Sequence, residues 1–215
     1  NTLRPALRLI GTTACKWDTI IPFEPLWEQY KRIIKDNGAI VLTASQPFTS
    51  ALVMSNIKMF KYEWIWEKTQ ATGHLDSKRK PMKAHENICV FYKKLSTYNY
   101  QKTTGHKRKV SSAEHKRKTK NNQSEIYHKA DKFTDYDTTD RFPRSVIIFA
   151  SNKQTNALHP TQKPVALFEY LQLTYTNEGD TILDNCSGSG TSAVAADNIG
   201  RNWICIEKDP SYVAI

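Results

Sequence analysis

Apolar residues are set along this chain in alternating blocks of two different periods. From Phe23 to Lys35 they recur at Leu26, Trp27, Tyr30, Ile33 and Ile34, the spacing of a helix with one face in a core, and Asn37-Gly38 ends it. Ala39 to Thr43 is a continuous apolar run and predicts a buried strand. Ser45 and Pro47 open a second helix over Phe48 to Asn56. Phe60 to Trp66 alternates as a half-buried strand does, and Ile88 to Tyr92 predicts another. The polar, glycine-containing stretch Thr69 to Lys83 between them reads as a loop over a site. A strand follows over Ser145 to Phe149 and a helix over Val165 to Thr174. Thr181 to Leu183 is a short apolar strand ending in Asp184, Thr191 to Asn198 an Ala-rich helix, and Trp203 to Ile206 a strand ending in Glu207. Near the start, Ala6 to Ile10 is a mildly apolar strand candidate that Arg8 interrupts.

Strands alternating with helices predict an α/β fold, a mostly parallel sheet with helices on both faces. Periodicity lapses between Leu95 and Asp140, which divides the chain into 1–94, an insertion over 95–141, and 142–215. Charge changes the reading of that insertion. The chain carries a net +10, and between Gln101 and Ala130 nine Lys or Arg face two Glu, a local surplus of seven. No amphipathic apolar face accompanies it, so the expected partner is nucleic acid rather than a membrane. Lys107, Arg108, Lys109, Lys116, Arg117 and Lys118 are the candidate phosphate contacts. The four cysteines show neither a paired nor a metal-ligating spacing and read as reduced thiols of a cytoplasmic protein; no metal site is expected. No apolar run is long enough to predict a membrane-spanning helix, and the first residues lack a signal-peptide pattern.

Candidate chemistry concentrates between Gly179 and Tyr212. Strand, glycine turn (Ser187-Gly188-Ser189-Gly190), helix, strand and terminal acid form the layout of a nucleoside-binding half-unit. Glycines let a ligand lie against main chain, and a terminal carboxylate accepts bonds from ribose hydroxyls. A phosphate-binding loop would need a lysine where Thr191 follows Gly190. A nucleophile elbow would need glycine where Ser187 stands, and a dinucleotide fingerprint would need a third glycine.

His159-Pro160-Thr161-Gln162-Lys163-Pro164, a helix, and then Leu183-Asp184-Asn185-Cys186-Ser187-Gly188-Ser189-Gly190-Thr191 resemble two motifs of the DNA amino-methyltransferases. These are adenine-N6 or cytosine-N4 enzymes, here in the permuted order with the catalytic half before the cofactor half. The resemblance covers most of the chain, from about Gly11 to Tyr212, and implies a Rossmann-like S-adenosylmethionine-dependent methyltransferase fold with a basic target-recognition insertion. It implies that His159, Pro160, Thr161, Gln162 and Lys163 wrap the methionine end of the cofactor. Asp184, Ser187, Gly188, Ser189, Gly190 and Thr191 would hold its amino-acid and ribose region, and Glu207 the ribose hydroxyls. Glu86, in His85-Glu86-Asn87, matches a recurrent acidic position near the active cleft. The implied activity is methyl transfer to an exocyclic amino group in double-stranded DNA, adenine N6 ahead of cytosine N4, and a homodimer stays open.

One departure bears on catalysis. Family members carry Asp-Pro-Pro-Tyr or a near variant before a glycine such as Gly11, whereas this chain has Leu7-Arg8-Leu9-Ile10. In the family the Asp and the following carbonyl accept the two amino hydrogens, and the aromatic ring stacks on the extruded base. Leu7 accepts no side-chain hydrogen bond and Ile10 offers no π-face. The alternative function is therefore a catalytically inactive DNA-binding protein with a vestigial cofactor pocket; an RNA methyltransferase is a third.

Overall fold

The computed structural model describes residues 19–118, 135–151 and 161–214. The strand candidate Ala6 to Ile10, the expected catalytic positions Leu7, Arg8, Leu9 and Ile10, and the site residues His159 and Pro160 lie outside the described residues. The chain divides into two compact units, one holding Tyr100–Pro143 and the other the remainder.

The larger unit is built on a four-stranded sheet in the order β1-β3-β2-β6, comprising β1 (Ile40–Ala44), β2 (Phe60–Thr72), β3 (Lys83–Phe91) and β6 (Val146–Phe149). Strands β1 and β2 both pair antiparallel with β3, while β6 pairs parallel with β2. The sheet is therefore mixed, a correction to the mostly parallel arrangement expected. The short Gly73–Met82 connection explains it: a parallel return needs a crossover of about a dozen residues or more, so β2 and β3 can only form a hairpin. The expected loop Thr69 to Lys83 is accordingly shorter, because β2 runs on to Thr72 and β3 starts at Lys83. Its residues are polar on both faces, and nothing in side-chain periodicity reports main-chain pairing of that kind.

Period-two alternation puts a different core on each face of this sheet. On one face Cys89 and Phe91 of β3, with Ile40 and Ala44 of β1, pack with Trp27 of helix α1 (Phe23–Ile33) and Leu52 of α2 (Phe48–Ser55). The Trp27 indole is satisfied by Ser55 Oγ at 2.8 Å. On the other face Ile88, Val90, Trp64 and Trp66 pack with Leu167, Leu171 and Tyr175 of α4 (Val165–Tyr175). Helices on both faces agree with the α/β class, and among the described residues no helix is long and apolar enough to cross a membrane.

A second sheet of the same unit pairs β7 (Thr181–Asp184) with β8 (Asn202–Cys205) in parallel, joined through α5 (Thr191–Asn198). The short helix α6 (Pro210–Val213) follows, with Asp209 as its cap accepting from Ser211 N. Among the described residues β1 pairs with β3 alone and β7 with β8 alone, so each keeps one main-chain edge open. Helix α4 meets α5, and Gln172 Nε2 donates to Ser192 O at 3.0 Å across that contact.

The smaller unit holds β4 (Lys109–Ser111) antiparallel to β5 (Tyr136–Thr138), with the short helix α3 (Ala113–Lys118) after β4. Thr103 and Arg141 exchange main-chain hydrogen bonds at its base.

Candidate cofactor site and basic unit

The end of β7 sets the site. Ile206 N donates to Asp184 O at 2.8 Å and Ser187 N to Ile206 O at 3.1 Å, which fixes the turn between the two strand ends. Gly188 and Gly190 carry positive φ of 53° and 74°, backbone that side chains other than glycine rarely adopt. A Cβ built on Gly190 would meet nothing within 4 Å, so the turn leaves open space at its surface. Gly190 then caps α5, whose first residues Thr191 and Ser192 are buried.

Two carboxylates hold the turn. Asp184 Oδ1 accepts from Cys186 N at 3.0 Å. Glu207 Oε2 accepts from Gly188 N at 2.7 Å, while its Oε1 accepts from Lys208 N and Asp209 N at 2.8 and 2.9 Å. Burial pushes the Asp184 carboxyl above its ordinary range and the Glu207 charge adds to this, although the Cys186 amide and Ser192 hydroxyl pull the other way. Burial is also the first reason that the Cys186 thiol is raised.

This turn is one wall of a cavity of about 800 Å³ that residues of β1 and β7 also line. Its sides are apolar (Ile33, Ile40, Leu42, Leu171, Ile182), and its polar groups include Thr161, Gln162, Lys163, Asp184 and the Asn185–Ser189 run. Of the predicted cofactor residues, Thr161, Gln162, Lys163, Asp184, Ser187, Gly188, Ser189 and Thr191 all line it. Glu207 reaches it through Gly188. That volume is the size of ordinary small-molecule sites, whose walls are likewise mostly apolar with a few placed polar groups.

Glu86 sits beside this wall. Its Oε1 accepts from Lys68 Nζ at 2.6 Å and its Oε2 pairs with Lys163 Nζ at 3.2 Å, with all three side chains mostly buried. Burial alone would raise the Glu86 carboxyl. The Lys163 charge, followed by the hydrogen bond and charge of Lys68, outweighs burial and holds it below its usual value. The Lys68 ammonium also lies 5.1 Å from the centre of the Trp66 ring.

The sequence reading missed Tyr30, Asn185 and Lys68. Tyr30 was read only as a core position of α1, yet its hydroxyl donates to Asn185 at the turn. Lys68 had a signal in the pattern: Tyr62, Trp64, Trp66 and Lys68 share one face of β2, and a lysine closing a buried stripe calls for a buried partner.

In the smaller unit the six predicted basic residues part company. Arg108 is engaged at both ends of the Asp137 carboxylate, its Nε at 2.7 Å, and this holds the Asp137 carboxyl low. Lys109 Nζ lies 5.9 Å from the Tyr136 ring centre, and Lys107 is exposed. Lys116, Arg117 and Lys118 fall on α3, with side chains outside the described residues. Lys102 Nζ lies 5.0 Å from the Phe142 ring centre.

Residues 16–215 match the family of N6/N4 methyltransferases described as DNA methylase. The Type II methyltransferase M.HpaI of Haemophilus parainfluenzae is 27% identical over 212 residues, covering 94% of this chain and 60% of that protein. M2.DpnII of Streptococcus pneumoniae is 49% identical over 57 residues, covering 26% of this chain and 21% of that protein. The chain thus spans less than two thirds of the length of these curated relatives. Among solved structures, the M1.HpyAVI–SAM complex superposes with TM-score 0.61 at 22% identity, over 90% of this chain and 82% of that one. The cytosine-N4-specific PvuII DNA methyltransferase superposes with TM-score 0.61 at 14% identity, over 95% and 73%. At such identities the likeness is one of fold.

Proposed function

This chain belongs to the N6/N4 DNA methylase family, and from that premise we propose that its cavity holds S-adenosylmethionine for methyl transfer to an exocyclic amino nitrogen of DNA. Adenine N6 is the proposed acceptor, ahead of cytosine N4. The observation that carries the cofactor reading is the glycine turn: two positive-φ glycines, Gly190 with open space at its Cβ position and Gly188 tied back by Glu207 and lining the cavity. These residues fit a nucleoside carrying an amino-acid tail. Asp184 and the Ser187–Gly190 main chain would face the amino-acid and ribose region, Glu207 the ribose hydroxyls. Thr161, Gln162 and Lys163, preceded by His159 and Pro160, would face the methionine end.

When bound, the cofactor supplies a methyl group activated by its sulfonium. The protein's part is orientation and exclusion of water, with the apolar flank of the cavity and the fixed turn doing both. The acceptors for the amino hydrogens were expected at Leu7 to Ile10, where no side-chain acid stands. Lys107 and Lys109, with Lys116, Arg117 and Lys118, would supply phosphate contacts, so affinity for duplex DNA should fall steeply with salt.

Calorimetry with S-adenosylmethionine and S-adenosylhomocysteine, followed by tritium transfer from labelled cofactor to duplex DNA, tests this. Heat of binding and labelled N6-methyladenine are expected; absence of binding heat overturns the cofactor assignment. The Leu7-Arg8-Leu9-Ile10 sequence favours a second reading, a DNA-binding protein that keeps the pocket without the chemistry. Binding heat with no label in DNA would select it.

A further inference from the structure

The hairpin of β2 and β3 outruns the core it helps to build. Trp64 and Trp66 of β2 are buried, yet every residue from Thr69 to Thr72 is exposed, as is the whole Gly73–Met82 connection except Asp76. This outer arm buries almost no apolar surface, so the hydrophobic core gains little from it. It springs from the Lys68–Glu86 pair, and Glu86 in turn holds Lys163 of the cavity wall. From Lys68 to Thr72 the strand advances about 13 Å, at about 3.3 Å for each residue.

The apex is a defined turn. Gly73, at φ 95°, leads into one 3₁₀ turn over His74–Asp76. Asp76 N donates to Gly73 O at 3.1 Å, and Arg79 N and Lys80 N both donate to Asp76 O, at 2.8 and 3.1 Å. In the middle of that turn Leu75 is 100% exposed. Lys78, Arg79 and Lys80 follow it, all exposed, and Asp76 pairs with Lys80 at 3.2 Å, which leaves the cations in surplus. A protein partner would need a wider apolar core than Leu75 and Met82 offer. Duplex DNA fits both features, because its phosphates attract the cations and its base steps accept a single apolar wedge.

We propose that this hairpin tip is a DNA contact additional to the smaller unit, in which Leu75 enters the base stack while Lys78 and Arg79 hold the flanking phosphates. The inference rests on the DNA amino-methylation reading above and adds to it the element that helps to open the duplex. Reaction at an exocyclic amino group requires the target base outside the stack. A leucine in the vacated space would offset part of the lost stacking. Leu75 is thus a positioning residue, and no bond is made or broken at the tip.

The test does not depend on the recognised sequence. Fluorescence anisotropy compares a short intact duplex with the same duplex carrying one abasic site, which supplies the vacated space in advance. The unmodified protein should prefer the abasic duplex, and Leu75→Ala should reduce that preference by about tenfold, as for one leucine side chain returned to water. Its melting temperature should not change, since the side chain touches no core. Lys78→Ala combined with Arg79→Ala should weaken both duplexes alike and make the salt slope shallower by about two units. No abasic preference in the unmodified protein, a preference that survives Leu75→Ala, or an unchanged salt slope in the double variant overturns the proposal while the DNA reading stands. Binding of neither duplex by the unmodified protein overturns both. A change of oligomeric state in Leu75→Asp, with the abasic preference intact, assigns the tip to a second copy of this chain and also overturns it.

Discussion

The Tyr30 hydroxyl donates to Asn185 Oδ1 at 2.9 Å, joining α1 to the glycine turn across 155 positions of sequence. Burial first, and then the neighbouring Cys186, push the Tyr30 hydroxyl up to about 12, so it stays a neutral donor throughout the working range. Tyr30→Phe removes only this bond. Chemical denaturation should show a loss of about 1 kcal/mol. Cofactor affinity should fall with it, because Asn185 belongs to the wall of the cavity. Unchanged stability and affinity would make the bond incidental.

Asp184 predicts a gain of stability on mutation. Its carboxyl is raised above the ordinary 3.8, so the folded protein takes up the proton more readily than the unfolded chain. The contribution is favourable below the ordinary value and is lost as pH rises through the raised one. At pH 7 the buried charge therefore destabilises the fold. Asp184→Asn should melt higher than the parent at pH 7, converge with it in acid, and bind S-adenosylmethionine more weakly. A lower melting temperature at pH 7 would contradict this.

Glu86 carries the opposite sign. Its carboxyl is depressed from 4.5, so its stabilisation is present above that value and lost as pH falls through the depressed one. Glu86→Gln should destabilise the protein at pH 7, with the deficit narrowing towards acid. Paired melts of parent and variant across that range measure it, and a deficit that widens in acid would refute the assignment.

Gly190 separates fold from ligand. With φ of 74° and no atom within 4 Å of an added Cβ, Gly190→Ala should cost about 1–2 kcal/mol from backbone conformation alone. Cofactor affinity should fall further than stability does, because the methyl would occupy space at the turn's open surface. Matching denaturation and calorimetry data for this variant decide the point.

In the basic unit Arg108 is paired with Asp137, which on the proposed DNA-binding reading would withhold one cation from phosphates. Lys107→Ala should make the salt dependence of DNA binding shallower by about one unit of slope. Asp137→Ala, which releases Arg108, should steepen it by a comparable amount. Filter binding over a salt series reads both, and an unchanged slope in both variants removes this edge from the interface.

Much of the fold was legible because its elements are amphipathic. Helix α1 was read from Phe23 to Lys35 and runs from Phe23 to Ile33, and the strand read as Ala39 to Thr43 is β1, Ile40–Ala44. The glycine turn was legible because residue type and backbone conformation coincide there. What periodicity could not carry was pairing between polar strands, as in the outer arm of the β2–β3 hairpin. Long-range polar contacts escaped for a related reason: Tyr30 fits an apolar stripe as well as it fits a hydrogen bond, and only folding brings Asn185 to it. The Arg108–Asp137 pair is equally silent in a count of charges, where Arg108 looks the same as its lysine neighbours.

Among the described residues β1 and β7 each keep one edge open, and residues of both strands line the cavity. Successive residues of a strand direct their amides to opposite sides. Along Ile40–Ala44, alternate amide protons are locked to β3 and should resist deuterium, while those between them have no strand partner among the described residues and should exchange more quickly. A filled cavity would slow the second set alone, so the main chain itself records occupancy, residue by residue, without a label on any ligand.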